Sequence, residues 1–113
     1  MKEKDILLED GKFIIDGKPF FFYSGEIHYF RTPYSKWREF LRRAREANLN
    51  AVSTYIPWRW HEYEEGKFDF SGATVKERDL LTFMKMAEAE GLYLFLRAGP
   101  ICHAEVIDSG LPA

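Results

Sequence analysis

The chain has 113 residues, with 16 Lys and Arg against 18 Asp and Glu for a formal net charge of −2, so nothing in its charge balance points to nucleic acid or an anionic membrane as a partner. Apolar residues at 46% and charged residues at 30% exclude a disordered tail, and a single cysteine, Cys102, excludes an intrachain disulfide framework. No apolar run approaches the ~20 residues that cross a bilayer, and Met1 to Asp5 carry charges of both signs with no signal-like apolar core behind them, which reads as an intracellular, cytoplasmic protein.

In chain order, Lys12-Phe13-Ile14-Ile15, Asp16-Gly17 and Lys18-Pro19-Phe20-Phe21-Phe22-Tyr23 predict a hairpin with a primed turn, Pro19 fitting an edge position. Ser24 to Phe30 reads as a strand or strand end. Thr32-Pro33 predicts a helix entry, with Thr as N-cap and Pro at the first helical position. Trp37, Phe40, Leu41, Ala44 and Ala47 then recur at helical spacing, and the helix is expected to stop near Asn48. Ala51 to Ile56 is short and β-branched, hence a strand. Trp58 to Gly72 reads as a polar, aromatic loop. A second helix over Asp79 to Glu90 turns Leu80, Phe83, Met84 and Ala87 inward, with Gly91 as its stop. Leu92 to Leu96 is nearly all apolar, as expected of a parallel strand covered on both faces.

From residue 24 onward the order is therefore strand, helix, strand, helix, strand, two βαβ units with right-handed crossovers. Ligands of parallel α/β folds bind at the carboxyl ends of strands. The chemistry-bearing residues cluster there: Glu26 and His28, then Tyr55 to Glu62, then Arg97 to Glu105. Glu26, Glu62 and Glu105 are carboxylates of the kind that work on glycosidic bonds, or else solvated loop charges or partners of nearby Arg. His28, His61, His103 and Cys102 match no zinc spacing, so no metal is assigned. Cys102 and His103 are chain neighbours whose side chains diverge in extended backbone, which makes no catalytic dyad. Tyr55, Trp58, Trp60 and Tyr63 could stack on sugar rings or simply pack the loop. No dinucleotide fingerprint, P-loop or Gly-x-Ser-x-Gly elbow occurs, so no cofactor is expected.

Four ordered blocks resemble glycoside hydrolase family 35. They are Gly25-Glu26-Ile27-His28-Tyr29-Phe30-Arg31-Thr32-Pro33 with Trp37; Leu49 to Trp58 with His61-Glu62; Gly66-Lys67-Phe68-Asp69-Phe70-Ser71-Gly72; and Gly91 to Pro100 with Ala104-Glu105 and Gly110 to Ala113. The resemblance implies an α/β fold, the N-terminal portion of a TIM (β/α)8 barrel, and a retaining β-galactosidase acting on terminal non-reducing β-D-galactosyl residues. It further implies that Tyr55 and Glu105 hydrogen-bond the galactose-like ring and that Cys102, His103 and Ala104 line the same pocket. In the family, the acid/base Glu follows the fourth strand in an Asn-Glu pair and the nucleophile Glu follows the seventh. No catalytic residue is therefore assigned within this chain. Where the family reads Gly-Pro-Tyr-(Ile/Val)-Cys-Ala-Glu-Trp, this chain has Ile101, His103 and Val106 in place of the Tyr, the Cys and the Trp. The alternatives are an exo-β-D-glucosaminidase of the same family, taking a 2-amino sugar, and a non-catalytic carbohydrate-binding or complementing chain.

A complete (β/α)8 barrel takes about 250 residues. Residues 1–23 are read as an N-terminal extension carrying the hairpin, and residues 24–113 as the first strands and helices of the barrel. Its remainder is expected from the same or a second chain. An open three-stranded piece leaves strand edges and an apolar face to be covered by that remainder.

Overall fold

The computed structural model describes residues 5–104 and 106–112. Two Asp-Gly pairs shape the first segment. Asp10 and Gly11 (φ 49° and 73°), like Asp16 and Gly17 (φ 49° and 79°), place two successive residues in the left-handed region, as a type I′ turn demands. They fold β1 (Ile6–Glu9), β2 (Lys12–Ile15) and β3 (Lys18–Phe20) into an antiparallel meander in that order. The expected hairpin is thus present, and Pro19 lies on the edge strand opposite Ile14. The additional strand β1 had a legible turn but no alternation, because Ile6-Leu7-Leu8 is a continuous apolar run left exposed.

The second segment runs β4 (Ser24–Glu26), α1 (Trp37–Glu46), β5 (Ala51–Tyr55), α2 (Trp58–His61), the small hairpin β6 (Glu62–Glu64) and β7 (Lys67–Phe68), α3 (Leu80–Ala89) and β8 (Tyr93–Arg97). Strands β4, β5 and β8 are parallel neighbours in chain order, with Glu26 beside Ser53 and Tyr55 beside Arg97. Alternation puts Ser24, Glu26, Ala51, Ser53, Tyr55, Tyr93, Phe95 and Arg97 on one face. Val52 and Leu94 point to the other, against α1 and α3. The core there joins Trp37, Leu41 and Ala44 to Leu80, Phe83, Met86 and Ala87. Because α3 is covered by the sheet and by α1 together, its buried arc takes in Met86, with the expected Met84 half-buried beside it. Phe40 on α1 and Ala47 just past its end, which share the same helical spacing, stay exposed.

Three other expectations are corrected. The strand expected from Ser24 pairs only to Glu26, since Tyr29–Arg31 turns inward as a 3-10 segment that buries Tyr29 and Phe30. Thr32 does not cap a helix. Its backbone is extended and its hydroxyl donates to the His28 carbonyl at 2.7 Å, while the Tyr34 N–H is capped from far along the chain by Glu77 Oε2 at 2.7 Å. The region after β5 is not a plain loop, because the turn at Gly66 (φ 75°) closes the β6–β7 hairpin.

The helix stops fall where expected. Asn48 (φ 67°) and Gly91 (φ 72°) take the left-handed position after α1 and α3, and Leu49 and Leu92 return hydrogen bonds to Ala44 and Ala87. Asp79 caps α3 through Thr82 N–H at 3.0 Å. The sheet is open at β8, where Phe95 and Leu96 are each 36% exposed rather than covered on both faces. The meander lies at the opposite, amino-terminal end of the inner face, where Phe20 and Phe22 meet Tyr93 at 5.3 and 5.6 Å and Phe22 meets Phe95 at 4.8 Å.

Gly72 is the glycine with the least freedom to change. Its φ is +81°, and a Cβ there would sit 2.9 Å from the Asp79 Cβ and 3.4 Å from the Lys76 carbonyl. Gly72→Ala should cost about 2 kcal/mol in urea unfolding, since the left-handed conformation alone costs ~1–2 kcal/mol in a residue with a Cβ. An unchanged midpoint would contradict this.

Candidate functional site

Glu26, Tyr55 and Arg97 are the last residues of the three parallel strands and share the inner face. They form one polar cluster at its carboxyl-terminal rim. The Arg97 Nη2 donates to Glu26 Oε1. The Arg97 guanidinium carbon lies 3.9 Å from the centre of the Tyr55 ring, a cation–π contact. Glu26 Oε2 is 2.7 Å from His28 Nε2, and His28 Nδ1 meets Arg31 Nη2 at 2.7 Å and Nε at 3.1 Å. Arginine can only donate, so His28 Nδ1 accepts and its Nε2–H donates to Glu26. The His28 ring also stacks on Phe30 at 5.2 Å and leans on Tyr55 at 5.9 Å. Burial works to raise the Glu26 pKa, but the hydrogen bonds from His28 and Arg97 and the Arg97 charge outweigh it and hold the carboxyl below its usual range.

The sequence-predicted site residues are distributed unevenly around this rim. Tyr55 is in it, 8% exposed. Cys102 is buried, its Sγ lying 2.9 Å from where a Cβ on Gly110 would fall and its N–H bonded to the Ser109 carbonyl at 2.6 Å. Burial raises its thiol pKa against the lowering influence of Arg97 and Arg31. His103 is exposed and Ala104 half-buried against the core, so the side chains of Cys102 and His103 diverge. Glu105 lies outside the described residues. The sequence places Arg97 among the residues clustered at this end of the sheet but gives it no role, and Arg31 is not counted there; the lone cation ending an apolar strand is the signal that could have singled Arg97 out.

Of the aromatic segment, Trp60 packs: its Nε1–H donates to the Glu77 carbonyl at 3.1 Å and Arg78 lies 4.5 Å from its ring. Trp58 is exposed, its Nε1–H reaching Glu62 Oε2 at 3.2 Å. Among the described residues no group of three or more His, Cys, Asp or Glu is placed to hold a metal ion, and no helix is long and apolar enough to cross a membrane.

Beneath the rim, His61 is 1% exposed between two partners. Its Nδ1–H donates to the Asp69 carbonyl at 2.6 Å, leaving Nε2 to accept from the Tyr29 hydroxyl at 2.6 Å. Phe70 stacks on the ring at 4.4 Å. Burial lowers the His61 pKa and pushes the Tyr29 phenol well above its usual range. The unfolded chain therefore takes up a proton below about pH 6.5 that folded His61 refuses, so stability is full above that pH and falls below it. Urea unfolding between pH 7.5 and 5 should show a steeper loss for the natural chain than for His61→Gln, which still carries the other titrating groups. Equal slopes would rule this out.

Residues 12–113 match the sequence profile of Glycosyl hydrolases family 35. The chain belongs to glycosyl hydrolase family 35. Among the similar proteins is a β-1,2-glucosyltransferase of Ignavibacterium album, 45% identical over 89% of this chain and 14% of the relative. An exo-β-D-glucosaminidase of Thermococcus kodakarensis is 41% identical over 89% of this chain and 13% of the relative. A β-galactosidase of Felis catus is 45% identical over 90% of this chain and 15% of its own length. The chain thus spans about a seventh of these curated relatives. The family 35 match covers β2 onward, and so includes every residue of the rim cluster.

Proposed function

We propose that residues 24–113 supply the first three strands of a (β/α)8 glycosidase barrel and one wall of its sugar site, with residues 1–23 as an N-terminal extension carrying the hairpin. The whole enzyme removes terminal β-D-galactosyl residues with retention. Supporting this reading is the convergence of Glu26, Tyr55 and Arg97 at the carboxyl ends of three parallel strands, the end at which such barrels bind ligands. Tyr55, together with Glu105 and the Cys102, His103, Ala104 stretch, is assigned to the non-reducing sugar. The acid/base and nucleophile carboxylates, about 5–5.5 Å apart in a retaining enzyme, come from later strands of the barrel.

The rim charges bear on the sugar. Glu26 is already engaged by Arg97 and His28, and two guanidinium groups, Arg31 and Arg97, belong to the same cluster. A neutral galactosyl ring suits that surrounding better than a protonated 2-amino sugar, because like charges brought together cost several kcal/mol. Joined to the remaining βα units, the chain should turn over a chromogenic β-galactoside faster than the β-glucosaminide. Tyr55→Phe should lower kcat/KM by up to about tenfold, the worth of one neutral hydrogen bond. Faster turnover of the glucosaminide would transfer the assignment to the amino sugar. No turnover of either would remove the hydrolase reading.

A further inference from the structure

We propose that Arg97 is a positioning residue for Tyr55, clamped by Glu26, and that this pair sets the direction of the phenol which meets the sugar. The inference rests on the glycosidase reading for its consequence but not for its geometry. Tyr55 is 8% exposed, and the side-chain hydrogen bond it receives, from the Thr54 hydroxyl at 3.1 Å, goes to its backbone carbonyl and does not fix the ring. What holds the ring is the Arg97 guanidinium on its face at 3.9 Å, with His28 leaning in at 5.9 Å.

The guanidinium plane is fixed in turn. Its Nη2 is bonded to Glu26, while its Nε is buried and meets no acceptor among the described residues. One carboxylate contact and one stacked ring therefore define the plane. The carboxylate is itself oriented through its second oxygen by His28, whose other nitrogen accepts from Arg31. The order of dependence runs Arg31, His28, Glu26, Arg97, Tyr55. Arginine is suited to the fourth place because a flat, delocalised cation can lie on an aromatic face and still donate sideways to a carboxylate. Lysine, a compact point charge on a flexible stem, cannot hold both at once.

The test labels position 55 with 3-fluorotyrosine and compares the full chain with Arg97→Met, Arg97→Lys and Glu26→Gln. The 19F resonance should shift and broaden in Arg97→Met, with a smaller change in Arg97→Lys. Glu26→Gln, a change on the exposed rim that leaves the core intact, should also move it. In the chain joined to the remaining barrel, Arg97→Met should lower kcat/KM on a β-galactoside by up to about tenfold, between the scales of an exposed and a desolvated cation–π contact, as suits a partly exposed guanidinium. Tyr55→Phe should then cost far less in the Arg97→Met background than alone. A resonance unmoved in both Arg97→Met and Glu26→Gln, or fully additive kinetic losses, would overturn the proposal. A responsive resonance in an assembly that cleaves no glycoside would uphold the positioning and sink the hydrolase reading. Turnover with an unresponsive resonance would do the reverse.

Discussion

Replacing Trp37 with alanine is expected to abolish cooperative unfolding of the chain. Trp37 is fully buried, and its Nε1–H is shared between the Thr32 carbonyl at 2.9 Å and the Tyr29 carbonyl at 3.2 Å. Its ring meets Tyr34 at 4.8 Å, Phe83 at 5.3 Å and Tyr29 at 6.0 Å. It therefore joins α1 to α3 and to the inward 3-10 turn at once. Truncating a buried Trp costs ~3–5 kcal/mol, while a small domain has only ~5–15 kcal/mol in total. The open sheet leaves this chain little reserve. Trp37→Ala should lose near-UV dichroism and show a gradual urea response. Trp37→Phe, which keeps most of the packing and loses the donor, should retain a transition at lower urea. A Trp37→Ala variant that melts sharply near the natural midpoint would refute the argument.

Asp69→Ala is expected to be the second most damaging change. The Asp69 side chain gathers the N–H groups of Ser71, Gly72, Ala73 and Thr74 and the hydroxyls of Ser71 and Thr74, all within 3.3 Å. The Thr74 hydroxyl leads in lowering its pKa, and with the backbone donors it outweighs burial and holds the carboxyl far below the usual range. The folded-state pKa is depressed, so this contribution is complete above the unfolded value of about 3.8 and disappears as pH falls through the folded one. Alanine removes all six of these partly buried hydrogen bonds at once, each worth ~0.5–1.5 kcal/mol net and not fully additive. A loss of about 3–5 kcal/mol in urea unfolding at pH 7 follows. Asp69→Asn keeps one acceptor but turns an amide toward the Thr74 donors, and should lose roughly half as much. The Asp69 carbonyl also fixes the His61 tautomer, so His61 15N shifts should change in Asp69→Ala. Unaltered shifts with unaltered stability would dismiss the network.

What could be read from residue order was whatever depends on local rules. The Asp16-Gly17 turn, the stops at Asn48 and Gly91 and three strands alternating with two helices all follow from backbone freedom or apolar spacing, and the structure has them. The misses involve partners distant in the chain. Glu77 caps Tyr34 from 43 residues away, so Thr32 was released to bond backward. Arg97 reaches Glu26 across 71 residues. Asp69 reads as an ordinary loop acid until the loop closes around it. Tyr55 was legible as a strand-end residue, but nothing in the order of residues said that a guanidinium covers its ring. The burial of Cys102 depended likewise on a glycine eight positions on leaving room for sulfur.

Phe20 and Phe22 seal the amino-terminal end of the inner sheet face by packing on Tyr93 and Phe95. Under the barrel reading proposed above, those rings would belong to a filled interior. A ligand would then have only the opposite rim to approach, where Glu26, Tyr55 and Arg97 stand.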